Sequence, residues 1–203
     1  MTALASRDPD AVPPPRPPDE LDELTLARAQ RGDARARRDL VVRYQRPVFA
    51  LLSRMLHGRA GAPQVEDLAQ ETFLRVFRAL QGFDRRGPAR LSTWILTIAS
   101  RLAIDELRRR RPDIAPLDPA AEPAGSAAAD ADAERTRLGA ALQQAIDELS
   151  PEFRAAFLLR EYHELEYAEI ADNLQIDLGT VKSRLSRARA ALRRALEEVY
   201  RAR

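Results

Sequence analysis

The sequence predicts an all-α protein of two small helical domains joined by a flexible linker, the second domain being a helix-turn-helix. Three observations lead to this prediction. Ala, Leu and Arg are abundant whereas aromatic residues make up only 5% of the chain, which suits helices better than sheets. Apolar residues recur with a helical period in two separate stretches. The stretch between them is rich in Ala, Pro and acidic residues, as linkers are.

Residues 1–19 form a Pro-rich segment, which predicts a disordered or polyproline II tail. This segment lacks the apolar run of a signal peptide, and no apolar run elsewhere is long enough to span a bilayer. The sequence therefore predicts a cytoplasmic protein without membrane insertion.

The first predicted domain covers residues 20–111 and carries most of the large apolar residues. A long helix is predicted from Ser92, a favourable N-cap residue, to Arg111, because Pro112 disfavours continuation. A helix that precedes it has one apolar face with i, i+3, i+4 and i+7 spacing, formed by Val65, Leu68, Ala69, Thr72, Phe73, Val76, Phe77 and Leu80.

Residues 112–136 are predicted to be the linker. Within them, residues 112–134 contain six acidic residues and no basic residue, with few large apolar side chains. Such a composition cannot bury enough apolar surface to fold alone, so we expect a flexible connection.

The second predicted domain, residues 137–203, contains the helix-turn-helix. Ser150 and Pro151 form a cap and first-turn signal for a helix. Further along, a short apolar helix is followed by a turn with Gly179, for which Asp177 is a plausible cap, and by a basic helix that starts near Thr180. This last helix has six basic residues and no acidic residue up to residue 196. A DNA major groove admits such a helix, whereas a solvated surface helix is the simpler alternative.

The residues that enzymes and metal sites need are scarce. The chain has no Cys, which excludes disulfides, thiolate metal sites and thiol nucleophiles. Of the two His residues, His163 is predicted to lie on a helix surface rather than to bind a metal, since no other ligand residues sit nearby. Neither a phosphate-binding Gly loop nor a nucleophile beside a base is present. We therefore predict no enzyme, no catalytic residue, no metal and no cofactor.

Three sequence motifs resemble the extracytoplasmic-function (ECF) group of the sigma-70 family of bacterial sigma factors. They are EDLAQETFLRVFRAL at 66–80, FDRRGPARLSTWILTIASRLAIDELRRRR at 83–111 and GTVKSRLSRARAAL at 179–192. The resemblance implies a sigma factor that directs RNA polymerase core to promoters. Its first domain would bind the β′ clamp and the −10 element, and its second domain the −35 element and the β flap. The family also implies an anti-sigma factor as a partner.

The resemblance assigns site residues to each element. The polar face of the helix at 66–80 would contact the clamp through Asp67, Gln70, Glu71 and Leu74, with a solvated face as the alternative. The −10 strand would meet Arg85, Arg86, Arg90, Ser92, Trp94, Arg101, Arg108 and Arg109, although Trp94 beside two Ile residues fits a core position better. In the last helix, Thr180, Lys182, Ser183, Ser186 and Arg187 would contact the −35 element, and Arg184 and Arg189 would meet phosphates or the fold itself.

One position departs from the family pattern. Arg101 stands where Asn is common, and Ser100 where Arg is common, so a base contact of that Asn does not carry over. Arg101 is instead placed to pair with Asp105 one helical turn later.

A stand-alone helix-turn-helix regulator is the alternative function. Such a protein would not need a docking face for polymerase at 66–80, but would need a dimer surface or a ligand pocket.

Overall fold

The computed structural model describes residues 20–87, 89–109 and 129–201, and every regular element in these ranges is helical. The all-α prediction is confirmed. None of the described helices is long and apolar enough to cross a membrane. The α-helices are α1 Glu23–Gln30, α2 Ala34–Met55, α3 Ala62–Ala79, α4 Leu91–Arg109, α5 Ala129–Glu148, α6 Pro151–Glu161, α7 Tyr167–Leu174 and α8 Leu178–Arg201, and a short 3-10 helix, Leu80–Gly82, follows α3.

The Pro-rich tail predicted at residues 1–19 and most of the predicted linker lie outside the described residues. The C-terminal end of the linker differs from the expectation, because α5 begins at Ala129, ahead of the domain boundary predicted at residue 137. The sequence there alternates Ala with acidic residues. Ala is the best helix former and acidic residues near an N-terminus complement the helix dipole, which explains the earlier start.

Helices α1 to α4 form one group in which α2 packs against the other three. Asp22 and Asp33 begin α1 and α2 by accepting hydrogen bonds from backbone N–H groups three residues later. The apolar face predicted for α3 is confirmed. All of its members are buried except Phe77, which is half-buried against the same core.

The start of α4 is not capped as predicted. The helix begins at Leu91, and Ser92 lies buried inside its first turn rather than at the N-cap. Glu20 takes the capping role, because its carboxylate accepts from the backbone N–H groups of Leu91 and Ser92 at 3.1 and 3.2 Å and from Ser92 Oγ at 2.6 Å. A negative charge at this end also complements the helix dipole.

Helices α5 to α8 form the second group, with α8 packed on α5, α6 and α7. Ser150 caps α6 by accepting from the Phe153 backbone N–H, and Pro151 occupies the first turn, as predicted. Helix α7, a three-residue connection and α8 make the helix-turn-helix. Gln175 in the connection adopts a left-handed conformation with φ of 53° and ends α7.

The two groups pack against each other. Helix α4 contacts α6 and α7, α2 contacts α6, and one buried apolar cluster runs through both groups. Arg154 of α6 is only 1% exposed, and its Nη1 donates to the Met55 carbonyl oxygen at the end of α2, at 2.7 Å. Its Nη2 donates to the Asp147 carbonyl oxygen of α5. No local pattern in the sequence predicts this contact between the groups.

His163 is buried, at 5% exposure, so the prediction of a surface position was wrong. The chain between α6 and α7 lies against α2 at this point, where the Arg54 guanidinium stands 4.4 Å from the ring centre of Tyr162. Burial and, secondarily, the positive charge of Arg54 lower the pKa of His163 from 6.5 to about 4. His163 is therefore neutral in the folded protein at neutral pH.

We predict that His163 makes folding sensitive to mild acid. Because the folded pKa lies below the unfolded one, its contribution is fully present above pH 6.5 and is lost as the pH falls towards 4. The free energy of unfolding should drop by roughly 2 kcal/mol more between pH 7 and pH 5 in the wild type than in His163→Leu. Urea unfolding of both chains at the two pH values measures this difference, and equal pH dependence would contradict the prediction.

Candidate nucleic-acid and polymerase interfaces

The outer face of α8 is exposed and basic. The four residues predicted to face the DNA groove, Lys182, Ser183, Ser186 and Arg187, are all exposed, and Arg184 is half-buried. The opposite face packs on the domain core through Val181, Leu185, Ala188 and Leu192. Two cations and two small hydroxyl groups on one exposed face can enter a major groove and reach base edges.

Asp177 fixes the start of α8, and its predicted capping role is confirmed. Its carboxylate accepts from Thr180 N at 2.8 Å and from Thr180 Oγ1 at 2.5 Å. These two hydrogen bonds hold the pKa of Asp177 below its usual value. A side-chain carbon at Gly179 would lie 2.9 Å from the capping oxygen, so glycine leaves room for the cap. The helix starts at Leu178, slightly ahead of the predicted Thr180, whose hydroxyl serves the cap.

Arg189 joins helices within the second group. Its Nη2 and Nε lie 2.8 and 3.3 Å from Glu161 Oε1, and its Nη1 lies 3.5 Å from the Tyr167 hydroxyl. The hydrogen bond to Glu161 is the main cause of a raised pKa for Arg189. Two roles were predicted for Arg189, contact with a DNA phosphate or stabilisation of its own domain. These contacts favour stabilisation of the domain.

A groove of about 500 Å³ lies between α2 and α3. Gln70 and Leu74, two of the four predicted polymerase contacts, line it, and the Leu74 side chain is half exposed. The α2 side is formed by Val41, Gln45 and Phe49, which are spaced four residues apart and so share one helix face. Sequence reasoning missed this α2 stripe, for which the spacing of Val41, Gln45 and Phe49 was the signal in the sequence.

The other two predicted polymerase contacts lie outside the groove lining. Asp67 is exposed, and Glu71 accepts a 2.7 Å hydrogen bond from Arg75 Nε one turn later. That bond lowers the pKa of Glu71, so its carboxylate stays charged. The acidic character of the groove comes from Glu66, an exposed residue of α3 that lines it together with apolar residues of both helices.

The loop before α4 presents three cations. Arg85 and Arg86 are exposed at its tip, where Asp84 Oδ1 accepts from the Arg86 backbone N–H at 2.9 Å. The base of the loop is fixed, because Gln30 Nε2 donates to the carbonyl oxygens of Leu80 and Phe83. Arg90 is also exposed, at the end of the loop. A rigid base with an exposed basic tip suits contact with a single strand.

The predicted −10 residues on α4 fall into different environments. The Trp94 ring is half-buried against Phe83, with ring centres 5.1 Å apart, which fits the preferred core position. Arg101 does not pair with Asp105 but donates to the Asn173 carbonyl oxygen of α7 at 3.3 Å. Arg108 pairs with Glu152 of α6 at 2.7 Å, and Arg109 with Glu106 at 3.0 Å.

Comparison with known proteins covers both groups of helices. Residues 40–112 match the family described as sigma-70 region 2, and residues 139–192 match the family described as sigma-70, region 4. The chain is 36% identical over 192 residues to the RNA polymerase sigma-H factor of Pseudomonas aeruginosa, spanning 90% of this chain and 97% of that relative. It is 34% identical over 190 residues to the ECF RNA polymerase sigma-E factor of Escherichia coli, spanning 89% and 96%.

Two solved structures share the fold. One is CnrH in complex with the cytosolic domain of CnrY, with a TM-score of 0.61, 24% identity and coverage of 87% of this chain and 97% of that one. The other is the sigma factor RpoE in complex with the anti-sigma factor NepR from Bartonella quintana, with a TM-score of 0.57, 20% identity and coverage of 79% and 96%.

These relatives do not favour the stand-alone regulator, and sigma factors are initiation factors that are not typically enzymes. The chain belongs to the ECF group of the sigma-70 family and is an RNA polymerase sigma factor, which directs core polymerase to promoters and initiates transcription.

Proposed function

We propose that this sigma factor works through three separate surfaces. The groove between α2 and α3 binds the polymerase clamp, the loop at 84–90 together with α4 engages the −10 strand, and the outer face of α8 binds the −35 element. The domains assigned are residues 20–111 for region 2 and 137–203 for region 4, with the second also contacting the β flap. Action on chromosomal promoters places the protein in the cytoplasm.

The groove between α2 and α3 is the observation that carries this proposal. Its lining combines apolar residues of both helices with the carboxylate of Glu66, a combination that suits an amphipathic helical partner with basic residues at its edges. The exposed Leu74 and Phe49 supply the apolar contact, and Gln70 supplies hydrogen bonding.

An anti-sigma factor is part of the proposal. The solved relatives CnrH and RpoE are each described in complex with a partner, and that of RpoE is named as an anti-sigma factor. An apolar groove and an exposed basic helix are both surfaces that such a partner could cover in this chain.

Run-off transcription tests the function directly. Purified chain is added to core polymerase on genomic promoter fragments, and transcripts are mapped. We expect specific transcripts that need both components. Duplex binding by the chain alone, without any core-dependent transcript, would favour the stand-alone regulator.

We predict that Leu74→Ala weakens binding to core polymerase. Truncation of an apolar anchor in an interface costs about 1–2 kcal/mol, which is roughly 5- to 30-fold in the dissociation constant. Leu24→Ala is the matched control, since Leu24 is also an exposed leucine, at 59% against 50% for Leu74, and lies on α1 outside the groove. Fluorescence anisotropy of labelled chain titrated with core measures both, and equal losses would contradict the assignment of the groove.

We predict that Arg187→Ala and Arg189→Ala behave differently although both remove a cation from α8. Arg187 is exposed on the proposed DNA face, so its loss should cost about 1–3 kcal/mol of discrimination between an intact and a scrambled −35 element. Arg189→Ala should mainly lower thermal stability slightly, because its exposed ion pair with Glu161 contributes roughly 0.2–1 kcal/mol. Holoenzyme binding to the two promoters and thermal unfolding measure these effects; the reverse pattern would overturn the assignment.

A further inference from the structure

Leu178 is an apolar side chain at the exposed beginning of α8. It is the first residue of that helix and is 44% exposed. Of the large apolar residues that are exposed in the described ranges, it is the only one in the second group of helices. A single exposed leucine is ordinary on a protein surface, so it is the position of Leu178 that indicates a role.

Leu178 lies on the same side of α8 as the proposed DNA face. Lys182 and Ser186 follow it at intervals of four residues, which places the three side chains in line along the helix. The opposite side, with Val181 and Leu185, is buried in the core of the second group. Side chains of a helix also lean towards its N-terminus. Leu178 therefore extends the proposed DNA face by one turn, at the end where the helix begins.

The charge of this face changes along α8. Lys182 and Arg187 provide cations further along the helix, whereas its beginning carries the exposed Asp177 and the uncharged Leu178. Hydrogen bonds from the backbone N–H and the hydroxyl of Thr180, at 2.8 and 2.5 Å, hold the Asp177 carboxylate in place. A fixed negative charge repels DNA phosphates. The first turn of α8 is therefore better suited to base edges than to the phosphate backbone.

Gly179 allows the first turn of α8 to come close to a groove. It is exposed and has no side chain, so the backbone next to Leu178 carries no bulk on its outer side. The N-terminal residues of a recognition helix contact base edges in the major groove. Among the groups on those edges, the 5-methyl group of thymine is the apolar one. A leucine at this place is chemically matched to that methyl group.

We infer that Leu178 is a specificity-determining residue for the −35 element, which contacts the 5-methyl group of a thymine in the major groove. The inference rests on the proposed −35 role of α8, and it adds an apolar contact to the polar contacts proposed for Lys182, Ser183 and Arg187. A pyrimidine without the methyl group leaves the Leu178 side chain without its partner, so α8 prefers thymine at that position.

Deoxyuridine in place of thymidine tests this contact, because it removes only the methyl group and keeps every hydrogen-bonding group of the base. A promoter found by run-off transcription is prepared with one such replacement at each A·T pair of its −35 element. Holoenzyme binding to each promoter is measured as a dissociation constant. For wild type we expect one position at which the replacement weakens binding by about two- to fivefold, the effect of burying one methyl group.

Leu178→Ala should remove the sensitivity to the methyl group. The variant should bind the thymine promoter about two- to fivefold more weakly than wild type, and should bind the thymine and deoxyuridine promoters equally. The site is exposed and Ala is a strong helix former, so the variant should fold. Leu178→Met keeps a long apolar side chain and should keep the sensitivity. Leu24→Ala, the same substitution at an exposed leucine of α1, is the matched control and should keep it fully.

Four results would overturn the inference while leaving the proposed function intact. They are a −35 element without any A·T pair, a wild type that tolerates deoxyuridine at every position, and a Leu178→Ala variant that stays sensitive at the same position. The fourth is an equal loss by Leu178→Ala on both promoters together with weaker binding to core polymerase without DNA, which would assign Leu178 to a polymerase contact.

Failure of the proposed function gives a different result. If scrambling the whole −35 element leaves holoenzyme binding unchanged, α8 has no −35 role and the inference falls with it. If scrambling weakens binding but no single methyl group matters, the −35 role stands and only the role of Leu178 is overturned.

Discussion

The arrangement of the two domains depends on the buried guanidinium of Arg154. A charged group removed from water costs several kcal/mol unless its hydrogen bonds are replaced, and burial accordingly lowers the pKa of Arg154. The replacements come from both domains: the Met55 carbonyl oxygen at the end of α2, and the carbonyl oxygen of Asp147 in the last turn of α5, whose carboxylate also lies 3.6 Å from Arg154 Nη1. A shift of either domain would leave the charge without part of its compensation, so Arg154 fixes how the domains meet.

A contact built on such groups is specific without being strongly stabilising. Arg154 Nε has no hydrogen-bond partner in the described part of the chain, and the Arg108–Glu152 pair is partly exposed. Charged groups regain their hydration when the domains separate, which offsets much of the loss of their bonds. The polar part of the interface therefore specifies how the two groups meet, beside the apolar cluster that runs through both of them.

The sequence predicts what local rules determine. The apolar period of α3, the Ser150–Pro151 start of α6 and the Asp177 cap of α8 each depend on residues within a few positions of one another, and all three are present. The cap of α4 comes from Glu20, far away in sequence, and no local pattern could reveal it. From the sequence alone, Asn173 would be placed on the solvent-facing side of a short helix. Its burial depends entirely on the other domain and so is not predicted by helical periodicity.

The candidate sites also divide into features that local sequence predicts and features that depend on distant residues. The exposed face of α8 follows from helical periodicity alone, whereas the polymerase groove needs two helices and only its α3 half was foreseen. The cations of α4 were found by resemblance, but their engagement by the second domain depends on packing that periodicity does not encode. What remains unpredictable from sequence is thus the set of contacts between elements distant in the chain.

Helix α2 connects the polymerase groove to the interface between domains. Phe49 lines the groove, and Arg54 and Met55, within two turns of it, contact Tyr162 and Arg154 of the second domain. At 1.5 Å per residue, Phe49 and Met55 are about 9 Å apart along the axis. A partner in the groove would change the contact between the domains only if it bound one arrangement of them better than another. One helix thus carries both the lining residue Phe49 and the carbonyl oxygen that Arg154 needs, so the two sites share a single element of the fold.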